Sequence, residues 1–298
     1  MQQTDFTIET NGAKIKALDA DGNGQFIALT ENGHVIAHDF ATALKRVRHR
    51  PPLEFRFPMI RRFDQNRFLV ANMRTRGDSN GLVFDLNGQE LDRFFLGDAI
   101  NDILIFQERI VVMYHEEGII GNKPPSGSGL AIFSHEGKQL WGLNDLIDEG
   151  VLSEDALIID SLPMCRNGKD SVLFFSHYFK PQLTELQLDD FELTFSTIPE
   201  RVHFATALSP LSENEIIFYQ PDVYRPEPDG EKFFWWDRQT DDIEELPERV
   251  PGWITGLGDG RFLFQHDFGY TVIDPLAFSI KSEKDIAHYQ NAVEFNTH

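Results

Sequence analysis

The sequence predicts an all-β fold, a six-bladed β-propeller with four antiparallel strands per blade, on three observations. A strand-pair unit recurs six times, its second-strand runs starting at Gln25, Arg67, Arg109, Ser171, Glu215 and Arg261, with spacings of 42, 42, 62, 44 and 46 residues. Each unit holds four short apolar runs separated by turn residues, and a period near 40–50 built this way marks propeller blades. The chain also carries 26 Phe in 298 residues, and flat aromatic rings suit the space between twisted sheets. The one long spacing coincides with insertions, so residues 1–298 read as a single propeller domain. Seven blades are the alternative.

The strands follow in order from the apolar runs and the turns between them. In blade one they are 14–19, 25–30, 34–39 and 44–49, with Asp19-Ala20-Asp21-Gly22-Asn23-Gly24 and Glu31-Asn32-Gly33 as hairpin turns. Blade two takes 59–63, 68–73, 82–86 and 91–95, turning at Asn87-Gly88. Blade three takes 100–106, 110–115, 130–134 and 139–142, turning at Glu136-Gly137. Blade four takes 156–162, 172–177, 183–188 and 192–197, and blade five 204–208, 216–220, 233–237 and 243–246. Blade six takes 253–257, 262–266, 270–274 and 278–281. Residues 4–9 and 289–295 stand outside the six units, and either segment would serve as the strand that closes the ring. If both joined a further sheet, the count would be seven.

A recurring phrase, Leu82-Val83-Phe84-Asp85-Leu86-Asn87-Gly88-Gln89-Glu90-Leu91 and again Leu130 to Leu140, runs apolar, turn, Gly, apolar. It resembles the third-to-fourth-strand hairpin of WD-repeat, YVTN and quinoprotein-type propellers. No unit ends in Trp-Asp or starts in Gly-His, and none holds Tyr-Val-Thr-Asn. The resemblance therefore implies a fold and no activity.

Composition narrows the function classes. The net charge is −21, a field that repels nucleic acid and anionic lipid and attracts cationic partners. Residues 1–76 carry 12 Lys/Arg against 8 Asp/Glu (+4), leaving 15 against 40 (−25) in the remainder. The basic part gathers in Lys45, Arg46, Arg48, Arg50, Arg56, Arg61, Arg62, Arg67, Arg74 and Arg76. The simpler use of the acidity is a solvated surface; the functional use is a docking face. The first twenty residues hold no basic and apolar leader pattern, and no run approaches the roughly 18 apolar residues that span a bilayer. With one cysteine, Cys165, no internal disulfide forms. These features lead to the expectation of a cytoplasmic protein.

In a propeller, the loops joining second to third strands share a face with those joining one blade to the next. Three of the former are long, 74–80, 116–128 and 221–231, and of the latter 143–155 reads as a short acidic helix. Long connections gathered on one rim suggest a binding surface, against neutral insertion at exposed tips. This rim carries Glu116, Glu117, Asp145, Asp148, Glu149, Asp222, Glu227 and Asp229, with Tyr224, Tyr178, Phe179 and Phe268 as aromatic anchors. Arg50, Arg56, Arg74 and Arg76 are expected opposite them as a basic corner.

The chemistry-bearing residues compete poorly with plainer readings. His115, His177 and His266 each end a second strand, and three imidazoles can hold a catalytic zinc. Blades three and six, however, would lie on opposite sides of a ring, so these read as surface histidines. Asp19-x-Asp21-x-Asn23-Gly24 opens like a calcium loop, but Thr30 stands where the twelfth-position Glu would be. It reads as a hairpin. Asp98, Asn101 and Asp102 begin the inner strand of blade three. Channel carboxylates hold calcium in lactonase and sugar-dehydrogenase propellers, which makes Asp98 and Asp102 the weak metal candidates. Blades five and six offer Phe204, Thr206, Trp253 and Thr255 at matching positions, not carboxylates. Trp235 and Trp236 share a strand, one ring on each side. No nucleophile-elbow, phosphate-loop or dinucleotide motif is present in the sequence.

The sequence thus points to an acidic propeller that binds a basic protein, without a catalytic site or cofactor and without nucleic-acid or membrane partners. An immunity protein that occludes a bacterial toxin nuclease is one concrete form. The alternative is a lactonase or sugar-hydrolase type of enzyme with a divalent metal, calcium, in the central channel.

Overall fold

The computed structural model describes residues 1–277 except 40, 41, 48–54, 76, 78, 108, 122, 123, 161, 177–179, 222–230, 248, 249 and 251. Its strands form six four-stranded sheets, the six blades of a β-propeller. Blade one is β2 (Ile15–Ala20), β3 (Phe26–Thr30), β4 (Val35–Asp39) and β5 (Thr42–Val47). Blade two is β6 (Pro58–Arg62), β7 (Arg67–Asn72), β8 (Gly81–Asp85) and β9 (Glu90–Phe94). Blade three is β10 (Ile100–Ile105), β11 (Ile110–Tyr114), β12 (Leu130–Phe133) and β13 (Gln139–Gly142). Blade four is β14 (Met164–Asn167), β15 (Ser171–Ser176), β16 (Gln182–Gln187) and β17 (Leu193–Thr197). Blade five is β18 (Ala207–Pro210), β19 (Glu215–Gln220), β20 (Lys232–Asp237) and β21 (Ile243–Leu246). Blade six is β22 (Thr255–Gly256), β23 (Phe262–His266), β24 (Gly269–Asp274) and, from the other end of the chain, β1 (Gln2–Thr7).

Three inner strands start later than the apolar runs suggest. In blade four, 156–162 is not a strand: Glu154–Ala156 is a single 3-10 turn, and the inner strand is Met164–Asn167. Phe204 precedes the strand of blade five by three residues and Trp253 that of blade six by two. The cause is a polar requirement that apolarity does not report, since an inner strand must pair its backbone with the second strand along its length. The segment 278–281 lies outside the described residues, and β1 occupies the outer edge of β24 instead.

The chain divides into two units. One comprises Met1–Thr7, Pro163–Phe175 and Pro181–His298, which hold blades four to six; the other comprises Ile8–Leu162 and Ser176–Lys180, which hold blades one to three. In both, burial follows strand position. Every residue of β3, β11 and β15 is buried, because a second strand is covered on both faces and so reads as a continuous apolar run. Four of five residues in the outer strand β9 are exposed.

Neighbouring blades are sealed by side chains from alternate positions. Ala17, Ile27, Leu29 and Val35 of blade one meet Ile60, Phe68, Val70, Leu82 and Phe84 of blade two. In the other unit Ile217, Tyr219 and Phe233 of blade five meet Ile254, Phe262 and Ile273 of blade six. Phe233 is the centre of this seal, its ring 5.1 Å from Tyr219 and 5.2 Å from Phe262, both tilted. Cys165 is buried and forms no disulfide. Trp236 is buried with its indole N–H on Asp241 (3.0 Å), while Trp235, half-buried, donates to Glu215 (3.1 Å).

The turn that resembles a calcium loop is a hairpin. The Asp21 carboxylate accepts the N–H groups of Asn23 (2.8 Å) and Gln25 (2.9 Å). Asp19 points elsewhere and accepts the Arg62 N–H at 2.7 Å. Beside it Arg61 ties three inner strands together. Its Nε donates to the Ile103 carbonyl (2.6 Å), Nη1 to those of Ile60 (2.8 Å) and Leu18 (3.4 Å), and Nη2 to Asp102 (2.5 Å).

Blade six is completed by antiparallel pairing from Gln2↔Asp274 to Thr7↔Gly269. Phe6 stacks on Tyr270 at 4.7 Å, and the Thr271 hydroxyl donates to Asp5 at 2.6 Å. A Cβ on Gly269 would lie 2.0 Å from the Phe6 carbonyl oxygen, so only glycine admits this approach.

Two stability outcomes follow from this packing. Phe233→Ala should cost about 3–5 kcal/mol in chemical denaturation, because the cavity lies between two sheets that cannot collapse onto each other; a loss below about 1 kcal/mol would refute the seal. Gly269→Ala should lower the melting temperature by displacing β1, with no further loss when residues 1–7 are also deleted. Additive losses would show that glycine and strand act separately.

Candidate partner-binding rim

In a four-stranded antiparallel blade, the turn between second and third strands lies at the same end as the connection to the next blade. In the unit of blades one to three these loops interlock. After β11 the chain forms helix α1 (Glu116–Ile120) and a 3-10 turn, Ser126–Ser128. After β13 comes α2 (Leu143–Asp148), shorter than the acidic helix expected over 143–155 and followed by the separate turn at Glu154–Ala156.

Two buried asparagines act as peptide mimics that stitch the loops together. The Asn80 amide donates to the carbonyls of Asn72 (2.8 Å) and Gly97 (2.7 Å) and accepts from the Leu96 N–H (2.8 Å). One blade on, the Asn144 amide donates to the Ile158 carbonyl (2.8 Å) and accepts its N–H (3.1 Å). Buried loop backbone needs such partners. Nothing in the sequence marks these two among the other asparagines, since their role depends on contacts 14–17 residues away.

The predicted site residues divide into braces and exposed carboxylates. Asp145 accepts the Ser128 hydroxyl on both oxygens (2.9 Å) and the Gln139 amide (3.1 Å). It serves the loop's architecture while remaining at the surface. Glu116, Glu117, Asp148 and Glu149 are exposed. Arg74 does not stand opposite the acidic loops as expected. It lies among them, 3.4 Å from both Asp98 and Glu117, because its loop folds onto the Asp98 carboxylate, which also accepts the Thr75 N–H at 2.7 Å. Arg56 sits over the Phe57 ring at 5.1 Å. Arg50, Arg76, Asp222, Tyr224, Glu227, Asp229, Tyr178 and Phe179 lie outside the described residues.

Both metal candidates are engaged by arginine through one carboxylate oxygen, Asp98 by Arg74 and Asp102 by Arg61. Among the described residues no group of three or more His, Cys, Asp or Glu is placed to hold a metal ion. The His115 backbone N–H donates to the Ala99 carbonyl at 2.8 Å as the chain enters α1. His266 is half-buried at the end of β23, and His177 lies outside the described residues. No helix among the described residues is long and apolar enough to cross a membrane.

The rim also exposes apolar side chains. Ile120 at the end of α1 is 67% exposed and Val151 after α2 is 65% exposed, both next to the exposed carboxylates. In the other unit Phe204 and Trp253 are each 74% exposed. They were read as strand residues, and their place in the loops before β18 and β22 is what frees them. Phe268, in the β23–β24 turn, is exposed as expected.

In each unit a buried tyrosine pins loop backbone. The Tyr114 hydroxyl donates to the Leu96 carbonyl (2.5 Å), and that of Tyr219 to Val250 (2.9 Å) and Gly252 (2.7 Å). Burial, then the charge of Asp145, raises the Tyr114 phenol well above its usual range; burial, then Glu231, raises Tyr219. Since both folded-state values are raised, their contribution is complete below about pH 10 and is lost as the pH climbs beyond it. Phenolate absorbance, compared with Tyr114→Phe and Tyr219→Phe, should show neither ionising before the protein unfolds. Ionisation of either near pH 10 in folded protein would contradict their anchoring.

No known family model matches this sequence, and no curated protein does. Solved structures do resemble the fold. U3-55K aligns with a TM-score of 0.54 at 8% identity over 91% of this chain and 98% of that one. The WD40 repeats of RRP9 align at 0.53 and 8% identity, over 91% and 97%. YCF48 bound to D1 peptide aligns at 0.50 and 10% identity, over 87% and 76%. Such identities carry the fold alone. The chain is a six-bladed β-propeller of the general repeat type, with no narrower family shown.

Proposed function

We propose that this protein is a protein-binding module whose loop rim covers a basic surface on its partner. The observation that carries this reading is the pairing of uncovered apolar side chains with exposed carboxylates on braced loops. Ile120 and Val151 stand exposed beside Glu116, Glu117, Asp148 and Glu149. A large exposed apolar side chain costs solubility, and several on one loop system mark an interaction surface. The carboxylates bring a cationic partner into register and speed its approach, while the apolar contacts slow its departure. Phe204 and Trp253 supply the same kind of anchor in the other unit. Asp222, Tyr224, Glu227 and Asp229, in the sequence segment 221–231, add acidic and aromatic residues to this reading. YCF48, with its bound D1 peptide, is one propeller that captures a polypeptide.

A cytoplasmic immunity protein fits this chemistry. A nuclease active site is basic because it holds phosphate, and a rigid acidic rim would occlude it. Binding needs no cofactor. The discriminating experiment passes a native-host lysate over the immobilised protein, with Glu116→Lys/Glu117→Lys/Asp148→Lys/Glu149→Lys as the comparison surface. The expected result is a basic protein retained at physiological salt, released by a salt gradient, and lost from the reversed surface with an association rate reduced about tenfold or more. Equal retention on both surfaces would reject the acidic rim as the binding face.

A further inference from the structure

A groove of about 820 Å³ lies between blades four and five, and none of its residues belongs to the rim described above. Ser196 and Thr197 of β17 form one wall; Glu213 and Asn214 in the β18–β19 turn, with Arg238 and Asp241 after β20, form the other. All of these residues lie within one unit of the molecule.

Arg238 is the unusual member. Its side chain is only 19% exposed, yet its guanidinium makes few hydrogen bonds. Nη2 donates to the Ser196 hydroxyl (3.1 Å) and Nη1 to the Glu213 carbonyl (3.4 Å), both neutral oxygens. Glu185, which also lines the groove, forms an ion pair with Nη1 at 3.6 Å, too long for a hydrogen bond. Its other oxygen is turned to the Asn167 amide (2.8 Å) and the Ser171 hydroxyl (3.1 Å). Arg61 shows how this fold satisfies a guanidinium: a carboxylate at 2.5 Å and three carbonyls, one a long 3.4 Å contact. Five N–H donors served by two long hydrogen bonds and one long ion pair leave donor capacity for a further carboxylate.

The walls restrict the ligand further. Glu213 and Asp241 are exposed at the groove, and one oxygen of Asp241 is held by the Trp236 indole, leaving the other free. A simple anion drawn to Arg238 would meet these carboxylates and be repelled. A ligand with a carboxylate at one end and an ammonium at the other meets complementary charge at both.

We propose that the groove between blades four and five binds a zwitterionic ligand of the amino-acid or short-peptide class. The ligand carboxylate lies on Arg238 and its ammonium group between Glu213 and Asp241. Asn167, Asn214 and Thr197 present amide and hydroxyl groups suited to a peptide backbone.

The test is calorimetric titration of the full chain with Gly-Gly-Lys, its carboxy-terminal amide, and free lysine. Saturable binding of Gly-Gly-Lys that weakens about tenfold or more for the amide is expected. Equal binding of free lysine would assign the groove to amino acids, and binding of the tripeptide alone to peptide ends. Arg238→Gln should lose the preference for a free carboxylate. Asn214→Trp, an exposed turn substitution that fills the groove without touching the guanidinium, should abolish binding while the melting curve is retained. The rim reversal Glu116→Lys/Glu117→Lys should leave the titration unchanged, so that this site and the rim stand or fall separately. No saturable binding, indifference to amidation, or full affinity in folded Asn214→Trp would each overturn the proposal.

Discussion

The pairing of β1 with β24 is the constraint on which the rest of the structure depends. Each of the other five blades is built from four strands consecutive in the chain, whereas blade six contributes three and receives its fourth from residues 2–7. Without that strand, the edge of β24 would present unpaired N–H and C=O groups to solvent, and such edges recruit other chains. β1 is itself exposed along nearly its whole length, so little apolar burial holds it. Backbone pairing, the Phe6–Tyr270 stack and the Thr271–Asp5 hydrogen bond carry it instead. Closure therefore depends on geometry more than on hydrophobicity, and Gly269 becomes indispensable in a strand where glycine is otherwise unfavourable.

Rigidity of the long loops has a comparable origin. Loops rich in polar backbone stay ordered only if that backbone is satisfied. Here Asn80, Asn144, Tyr114 and Tyr219 supply side-chain partners from buried positions, each reaching a segment far away in sequence. Gly118 permits the approach that brings α1 against Asp98, whose carbonyl oxygen would lie 2.5 Å from an added Cβ. A loop held this way presents its charges at fixed positions, and a partner binding it pays little ordering entropy.

Much of the fold was legible because the second strands are covered on both faces, which forces uninterrupted runs such as Ile110–Tyr114 and Ser171–Ser176 at a steady period. Hairpin turns were legible for a related reason: Asp21 and Asp85 each accept two backbone N–H groups, a local geometry that local sequence specifies. Inner strands were harder. Phe204 and Trp253 are apolar like strand residues, yet they sit in loops where their solvent exposure has no local signature. The closing strand was legible only as one of two terminal candidates, because β1 alternates no clear apolar face. At the rim, the exposed carboxylates could be read from loop length and composition. The bracing role of Asp145 and the position of Arg74 could not, since both depend on partners brought from other loops.

The arginines of the first two blades show how basic residues are taken up by partners within the fold. A basic cluster in residues 1–76 suggests a positive corner, but some of its members are engaged by partners within the fold. Arg61 spans three inner strands, and Arg62 donates to the carbonyls of Phe26 and His38 at 3.0 Å. Arg67 pairs with Asp64, and Arg74 with Asp98 and Glu117. Burial works against the charge on Arg61, but Asp102 and Asp19 more than compensate, so the guanidinium stays ionised. Arg61 and Arg62 reach internal carbonyls, whereas Arg67 and Arg74 pair with carboxylates at the surface. The field a distant partner meets is set by the net charge of −21. Such a field selects cationic partners at long range whatever the short-range contacts are, and specificity then rests on the few apolar side chains that the braced loops hold in the open.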